Sequence, residues 1–300
     1  MRALVTGGAG FIGSHVVEAL LARGDEVTAL DNLSTGRREN LLDGATFVEG
    51  DIRADADAAC ADARPAVVFH LAAQADVGTS VERPDYDADV NVLGTLRVLE
   101  AARRHGAQVV FSSTGGAIYG ECERPAREED DRRPLSPYGT SKLAGEEYLA
   151  TWNRLHGTRH VSLRLANVYG PRQLSRLEGG VVAIFMERLA SEAPIQIYGD
   201  GEQTRDFVFV GDVVRAMLAA TGATGGTFNV GTGVETSVNK LFETCRRLAG
   251  ANGSAEHVAP RPGDLVRSVL DAGRAERELG WRAEHELERG LAETWAWATR

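Results

Sequence analysis

Tyr138 and Lys142 stand four residues apart at the start of a helical stretch, so their side chains share one face. An ammonium beside a phenol favours the phenolate and draws its pKa down from about 10. Such a tyrosine becomes a usable general base for a hydroxyl group. Upstream, Ser112, Ser113 and Thr114 close an apolar run. A hydroxyl there can hydrogen-bond the same reacting oxygen, an oxyanion-type role. Thr114 is the first choice for it and Ser113 the second. A tyrosine and lysine at this spacing also occur on solvated helix faces, so the pair needs a binding site beside it before it implies chemistry.

The other end of the chain offers that site. Gly7, Gly10 and Gly13 follow the apolar run Ala3-Leu4-Val5 and open a stretch in which Val16, Val17, Leu20 and Leu21 recur at helical spacing. Glycines there allow a tight turn, close approach of a phosphate to bare backbone, and close packing of helix on strand. The helix N-terminus offers unsatisfied N–H groups and the positive end of its dipole to a pyrophosphate. Asp31 closes the second strand, where a carboxylate accepts hydrogen bonds from ribose hydroxyls. A turn needing glycine for sterics alone would not bring this acid with it. The set predicts a dinucleotide site built from Gly7, Gly10, Phe11, Ile12, Asp31 and Asn32.

The Asp31 carboxylate would repel a 2′-phosphate, which favours NAD over NADP, while Arg37 and Arg38 keep NADP open. Asp51 and Ile52 follow the third strand, and Leu71, Ala72, Ala73 and Gln74 follow the fourth. Both positions lie at strand carboxyl ends, where ligands bind in such sheets. Asp51 could accept from an adenine amino group, and the small Ala72 and Ala73 leave room for cofactor. A positively charged nicotinamide ring nearby would favour the Tyr138 phenolate further, and Lys142 can also reach the nicotinamide ribose.

Alternating elements must position these residues. Apolar strands at 3–5, 26–30, 46–50, 66–70, 108–111 and 161–165 have helical stretches between most of them, the longest at 90–105 and 141–155. This predicts an α/β fold, a Rossmann-type doubly wound parallel sheet covered on both faces. Beyond residue 166 glycines cluster and strands shorten, as at 195–198 and 207–210. The expected division is an NAD-binding domain over residues 1–165, with a later return segment near 205–231, and a smaller mixed α/β substrate-binding domain over 166–300. Residues 121–133, rich in both charge signs, read as an exposed loop.

With 300 residues, 43% hydrophobic and 25% charged, the chain can bury a large core without disulfides or structural metal. Its formal net charge of −10 argues against nucleic-acid or anionic-membrane partners, so positive charge for a polyanionic ligand must be gathered locally. Cys60, Cys122 and Cys245 are too few and scattered for a disulfide framework or a zinc site. No metal is expected, and a reduced cytoplasmic compartment is. No apolar run reaches the length of about 18 that a membrane span requires, and no secretory leader is read ahead of the glycine motif.

Six segments then fall into one order: Thr6-Gly7-Gly8-Ala9-Gly10-Phe11-Ile12-Gly13, Asp31-Asn32-Leu33, Phe111-Ser112-Ser113-Thr114, Ser136-Pro137-Tyr138-Gly139-Thr140-Ser141-Lys142, Arg205-Asp206-Phe207-Val208 and Arg261-Pro262-Gly263-Asp264. In this order, and along essentially the whole chain, they resemble the NAD-dependent epimerase/dehydratase family. Within it the pattern is most similar to the UDP-glucose (UDP-galactose) 4-epimerases. The resemblance implies tightly held NAD and a cycle in which Tyr138 deprotonates a sugar 4-hydroxyl, assisted by Thr114, to give a 4-keto intermediate. It also implies that Asn167, Arg205, Arg261 and Asp264 hold the nucleotide diphosphate sugar, and that Val181, Gln196 and Tyr198 meet the nucleobase. Two guanidiniums on a diphosphate would supply the local positive charge. A homodimer through the two long helices is implied as well.

Departures narrow the reaction. Relatives that dehydrate the sugar carry an Asp-Glu pair directly after the threonine, whereas Gly115, Gly116 and Ala117 stand here. Elimination therefore lacks its acid and base. Small Ser268 occupies a position that resembles a gate for the sugar's 2-substituent, which keeps UDP-N-acetylhexosamine, alongside UDP-glucuronate, as an alternative 4-epimerase substrate. A non-catalytic NAD(H)-sensing protein is the alternative of another class, disfavoured because both Tyr138 and Lys142 are kept.

Overall fold

Short runs of Val, Leu, Ala and Phe without helical spacing become strands, and the central ones are buried on both faces. The computed structural model describes residues 1–175, 180–260 and 265–300. In its first part β1 (Arg2–Thr6), β2 (Glu26–Asp31), β3 (Thr46–Glu49), β4 (Val67–His70), β5 (Gln108–Thr114) and β6 (Val161–Leu165) alternate with helices. These are α1 (Phe11–Ala22), α2 (Ala56–Ala63), α3 (Val77–Glu82), α4 (Pro84–Ala88), α5 (Gly94–His105), the short α6 (Gly115–Ile118) and α7 (Pro137–His156). The second part contains β7 (Asn167–Tyr169), α8 (Val181–Ala190), β8 (Gln196–Tyr198), β9 (Thr204–Phe209) and α9 (Val210–Ala220). It continues with β10 (Gly226–Val230), β11 (Glu235–Ser237), α10 (Val238–Ala249), β12 (Glu256–Val258), β13 (Arg267–Ser268), α11 (Gly273–Leu279) and α12 (Leu287–Ala298).

Seven parallel strands run in the order β10-β6-β5-β4-β1-β2-β3. This is the doubly wound Rossmann-type sheet, with β10 returning from the second part to its edge. The pleat sorts the core. Ala3 and Val5 pack on one face with Val16, Val17 and Leu20 of α1 and Val213 and Met217 of α9. Leu4 faces the other way, onto Ala59 of α2 and Val98 and Leu99 of α5. Strand order reverses between β1 and β4, which opens a crevice at the strands' carboxyl ends. In the second part β9 is paired with β11 antiparallel and with β7 and β13 parallel, while β8 pairs with β12. Phe185, Phe207, Phe209, Leu241 and Phe242 form the core there.

Several boundaries differ from the sequence reading. α7 starts at Pro137 rather than 141, because the Ser136 side chain accepts from Gly139 N at 3.2 Å and proline suits the first helical position. Tyr138 thereby enters the helix's first turn. The helix expected at 90–105 is entered through a π-helical turn, Asp89–Leu93. Residues 121–133 are not simply exposed: Ala126 is buried and bridges to Leu270, and Glu128 accepts from Asn229 N at 2.7 Å.

Candidate active site

A cleft of about 1550 Å³ lies at the carboxyl ends of the central strands. This exceeds what one drug-sized ligand requires, roughly 300–1,000 Å³. From the first four strand ends its wall takes Gly7, Gly10, Phe11, Ile12, Asp31, Asn32, Asp51, Ile52, Leu71, Ala72, Ala73 and Gln74. β5 and α7 contribute Thr114, Tyr138 and Lys142, and the second part contributes Asn167, Val181, Gln196, Tyr198 and Arg205. Arg261 and Asp264 lie outside the described residues.

The three motif glycines are required for different reasons. Gly7 has φ +69°, and a Cβ on it would lie 2.7 Å from Ala72 N. A Cβ on Gly13 would lie 2.0 Å from the Gly7 carbonyl. Both are demanded by the protein's own sterics. Gly10 is different: it lines the cleft, and a Cβ there would meet only the Gly7 carbonyl, at 3.2 Å. Internal packing leaves that side open, at the N-terminus of a twelve-residue helix whose first N–H groups have no intrahelical acceptor. A diphosphate fits this cradle.

Asp31 closes β2 beside it. Its Oδ2 accepts from Ala9 N at 3.0 Å and its Oδ1 from Leu33 N at 2.8 Å. Burial raises its pKa, and these N–H groups act in the opposite direction. Each oxygen keeps a further lone pair for a ribose hydroxyl. The residues present fit a dinucleotide with an unphosphorylated adenosine ribose.

Asp51 and Gln74 line the cleft with side chains that are also bonded within the protein. The Asp51 carboxylate accepts from Arg53 Nε at 2.9 Å, Arg53 Nη2 at 2.8 Å and Asn32 Nδ2 at 3.0 Å. The Arg53 guanidinium holds its pKa down to about 2. An adenine amino group would have to share an acceptor already occupied. The Gln74 amide donates to Asp87 Oδ1 at 3.0 Å and to the Asp76 carbonyl at 2.9 Å, so its side chain is tied inward.

Lys142 is buried, 3% exposed. Its Nζ donates to the Ser112 carbonyl at 2.9 Å and stands 4.9 Å from the Phe111 ring centroid. Burial lowers its pKa to about 8, with Asp87 and Glu146 opposing the fall. Strand alternation separates the two hydroxyl candidates. Ser113 Oγ donates to Glu146 Oε1 at 2.5 Å in the interior, and Glu146 is paired with buried Arg164 at 2.7 Å. Thr114 is half-buried on the cleft wall. A Cβ built on Gly116 would lie 3.6 Å from Asn167 Oδ1 and 4.0 Å from Thr114 Oγ1, so these two side chains approach the same point. A Cβ on Gly115 would lie 2.4 Å from Leu270 Cδ1, which leaves no space for an acid there.

A polar chain behind the cleft is absent from the sequence reading. Thr95 Oγ1 donates to the Asn91 carbonyl at 2.6 Å and so receives the His70 Nε2 proton at 3.0 Å. His70 Nδ1 is then the acceptor for the Thr6 hydroxyl at 2.8 Å, and burial holds this neutral imidazole's pKa down to about 3. Asn91 Nδ2 contacts the Gln74 carbonyl at 2.9 Å, Asp87 Oδ1 at 3.0 Å and Ser141 Oγ at 3.2 Å. The available signal is Asp87, Asn91 and Thr95 recurring every fourth residue, a polar stripe on a helix surface.

On the other wall, Gln196 and Tyr198 flank Ile197, whose side chain is buried, as the period of a strand dictates. Val181 opens α8. Arg205 lies on β9 in register with buried Ser268 of β13. The next residue, Asp206, accepts from Thr232 N at 2.8 Å and Gly233 N at 3.0 Å, locking the turn after β10 against β9. Among the described residues no group of His, Cys, Asp or Glu is arranged to hold a metal, and no helix is long and apolar enough to cross a membrane.

This geometry has close counterparts. A UDP-glucose 4-epimerase of Mycolicibacterium smegmatis is 48% identical over 304 residues, covering 98% of this chain and 97% of that one. The crystal structure of UDP-glucose 4-epimerase from Thermotoga maritima with UDP-glucose superposes with a TM-score of 0.96 at 46% identity, covering 99% and 98% of the two chains. The Thermus thermophilus UDP-glucose 4-epimerase in complex with NAD gives a TM-score of 0.94 at 46% identity, covering 99% of each. The model of the NAD dependent epimerase/dehydratase family matches residues 3–231. With its glycine cradle, its Tyr138–Lys142 turn and these relatives along nearly its full length, the chain belongs to the NAD dependent epimerase/dehydratase family.

Proposed function

We propose that this protein is an NAD-dependent nucleotide-sugar 4-epimerase, interconverting UDP-glucose and UDP-galactose through a 4-keto sugar. One observation carries the reading. Tyr138, Lys142 and Thr114 share a cleft with a dinucleotide cradle, and glycine rather than an acid follows Thr114. The M. smegmatis relative and both solved neighbours bear the name UDP-glucose 4-epimerase, one neighbour with UDP-glucose and one with NAD.

NAD, the family's cofactor, supplies when bound an acceptor for the C4 hydride and a donor to return it. Gly7, Gly10, Phe11 and Ile12 receive its diphosphate, and Asp31 its adenosine ribose. Tyr138 takes the proton of the sugar 4-hydroxyl and later returns it to the same oxygen. Lys142 keeps positive charge beside the phenol and favours its ionised form. Thr114 donates a hydrogen bond to that oxygen as negative charge builds on it. Arg205 and Asn167 hold the diphosphate sugar, while Val181, Gln196 and Tyr198 receive the nucleobase. Anchoring the diphosphate while the keto sugar presents its other face uses binding energy remote from C4.

Residues 1–165 with the return at 205–231 serve the dinucleotide in this reading, and the rest of 166–300 serves the nucleotide sugar. Exposed Leu93, Tyr148 and Leu155 on or beside α5 and α7 support a homodimer through those helices, which light scattering would test. Three free cysteines fit a reducing cytoplasm.

The test is to incubate the purified protein with UDP-glucose, UDP-N-acetylglucosamine and UDP-glucuronate and resolve the products by NMR. UDP-galactose is expected from UDP-glucose. No C4 epimer from any of the three would refute the reading.

A further inference from the structure

Asp87 on α4 is wholly buried, and its hydrogen bonds come from neutral amides. Oδ1 accepts from Gln74 Nε2 and Asn91 Nδ2, both at 3.0 Å. Oδ2 is buried and, among the described residues, has no hydrogen-bond partner. A carboxylate is rarely buried in this way without a compensating charge nearby.

Lys142, on α7 where that helix packs against α4, is the cation whose charge acts on this carboxylate. Five groups besides Asp87 face it or share its helix. From β5 come the Ser112 carbonyl and the Phe111 ring, and from β4 comes His70. Tyr138 and Glu146 lie one turn away on either side in α7. His70 is neutral, because its complete burial disfavours the charged ring. Glu146 is neutralised by Arg164 and also accepts from Ser113. Among the described residues, Asp87 is therefore the acid near Lys142 whose charge is not taken up by another cation, and it acts to keep the lysine protonated against burial.

The same carboxylate has a mechanical connection to the helix. Asn91, held by Asp87, contacts Ser141 Oγ at 3.2 Å, and Ser141 Oγ donates to the Tyr138 carbonyl at 3.0 Å. Asn91 sits in the π-helical turn between α4 and α5, an irregularity that often accompanies functional positions. We infer that Asp87 is a positioning residue for the 4-epimerase reaction, holding Lys142 as an ammonium and, through Asn91 and Ser141, fixing the turn that carries Tyr138. The inference rests on the function proposed above.

The sequence makes the test tractable. Among 33 basic residues only Lys142 and Lys240 are lysines, and Lys240 is exposed. Labelling lysine with ¹³C at Cε therefore gives two NMR signals, one of them an internal control. In the wild type the Lys142 signal should titrate near pH 8. In Asp87→Asn its midpoint should fall by about one pH unit, with Lys240 unmoved. The alkaline limb of kcat should fall by the same amount, with KM for UDP-glucose within about twofold of wild type. Asp87→Glu, which keeps the charge, should restore the limb. An Asp87→Asn protein that is folded by circular dichroism but shows an unmoved Lys142 midpoint would overturn the inference. Asp87→Ser is the second neutral variant should the amide not fold. A wild-type midpoint below about pH 6 would overturn it without any substitution, because Lys142 would then lack an effective counter-charge. A wild-type protein that makes no C4 epimer would refute the 4-epimerase reading instead, while the titration still reports on the Asp87 to Lys142 link.

Discussion

Lys142 Nζ donates to the backbone carbonyl of Ser112 at 2.9 Å, two residues before Thr114. The ammonium is thus fixed to the strand that delivers the threonine hydroxyl, and one helix turn separates it from Tyr138. Helix and strand are locked together at the point where proton transfer is assigned.

The burial of Lys142 sets a pH dependence. Burial lowers the Lys142 pKa from 10.5 to about 8. Turnover should therefore decline as pH rises through about 8, when the ammonium is lost. Stability should move the other way. Between those two values the unfolded chain binds more protons at this group than the native one, so the group's contribution becomes more favourable as pH rises. Parallel pH profiles of kcat and of urea midpoint check both signs.

Ser113 and Thr114 should separate cleanly. Thr114→Val removes the hydroxyl on the cleft and should lower kcat by about 10²-fold, with little change in melting. Ser113→Ala breaks a buried hydrogen bond to Glu146 and should cost about 1–3 kcal/mol of stability, with kcat within a few-fold of wild type. Steady-state kinetics beside denaturant melts would show the contrast.

The glycines offer a comparison within one motif. Gly13→Ala forces a Cβ to 2.0 Å from the Gly7 carbonyl and should destabilise by about 1–3 kcal/mol. Gly10→Val should fold, yet lose NAD, because its side chain extends into the cradle. Melting temperature together with NAD released on denaturation measures both.

Arg164 and Glu146 form a pair with each side chain 3% exposed. Arg164→Met leaves Glu146 charged and buried and should cost about 3–5 kcal/mol. Adding Glu146→Gln should recover part of the loss, which a double-mutant cycle would quantify.

Legibility followed the range of the interactions. The glycine loop, the strand carrying Asp31 and the Tyr138–Lys142 turn are local patterns, and the sequence predicts the parallel Rossmann-type sheet that carries them. Gln74 and Asp51 stand where ligand contacts are expected, but their side chains are largely taken up by Asp87 and Arg53. The Gln74 partner comes from a separate helix, which no short pattern reveals. Ser113 and Thr114 are chemically alike in sequence; only the pleat and the position of Glu146 distinguish them. The start of α7 differs from the sequence reading because Ser136 caps the helix, and periodicity alone does not register a cap that precedes the first apolar repeat.

Tyr138→Phe tests the central claim most directly, since it removes one oxygen and preserves the ring. The account predicts that the purified variant retains bound NAD and its melting temperature, while kcat for conversion of UDP-glucose to UDP-galactose falls by about 10³-fold or more. Turnover equal to wild type in a folded, NAD-loaded variant would contradict it.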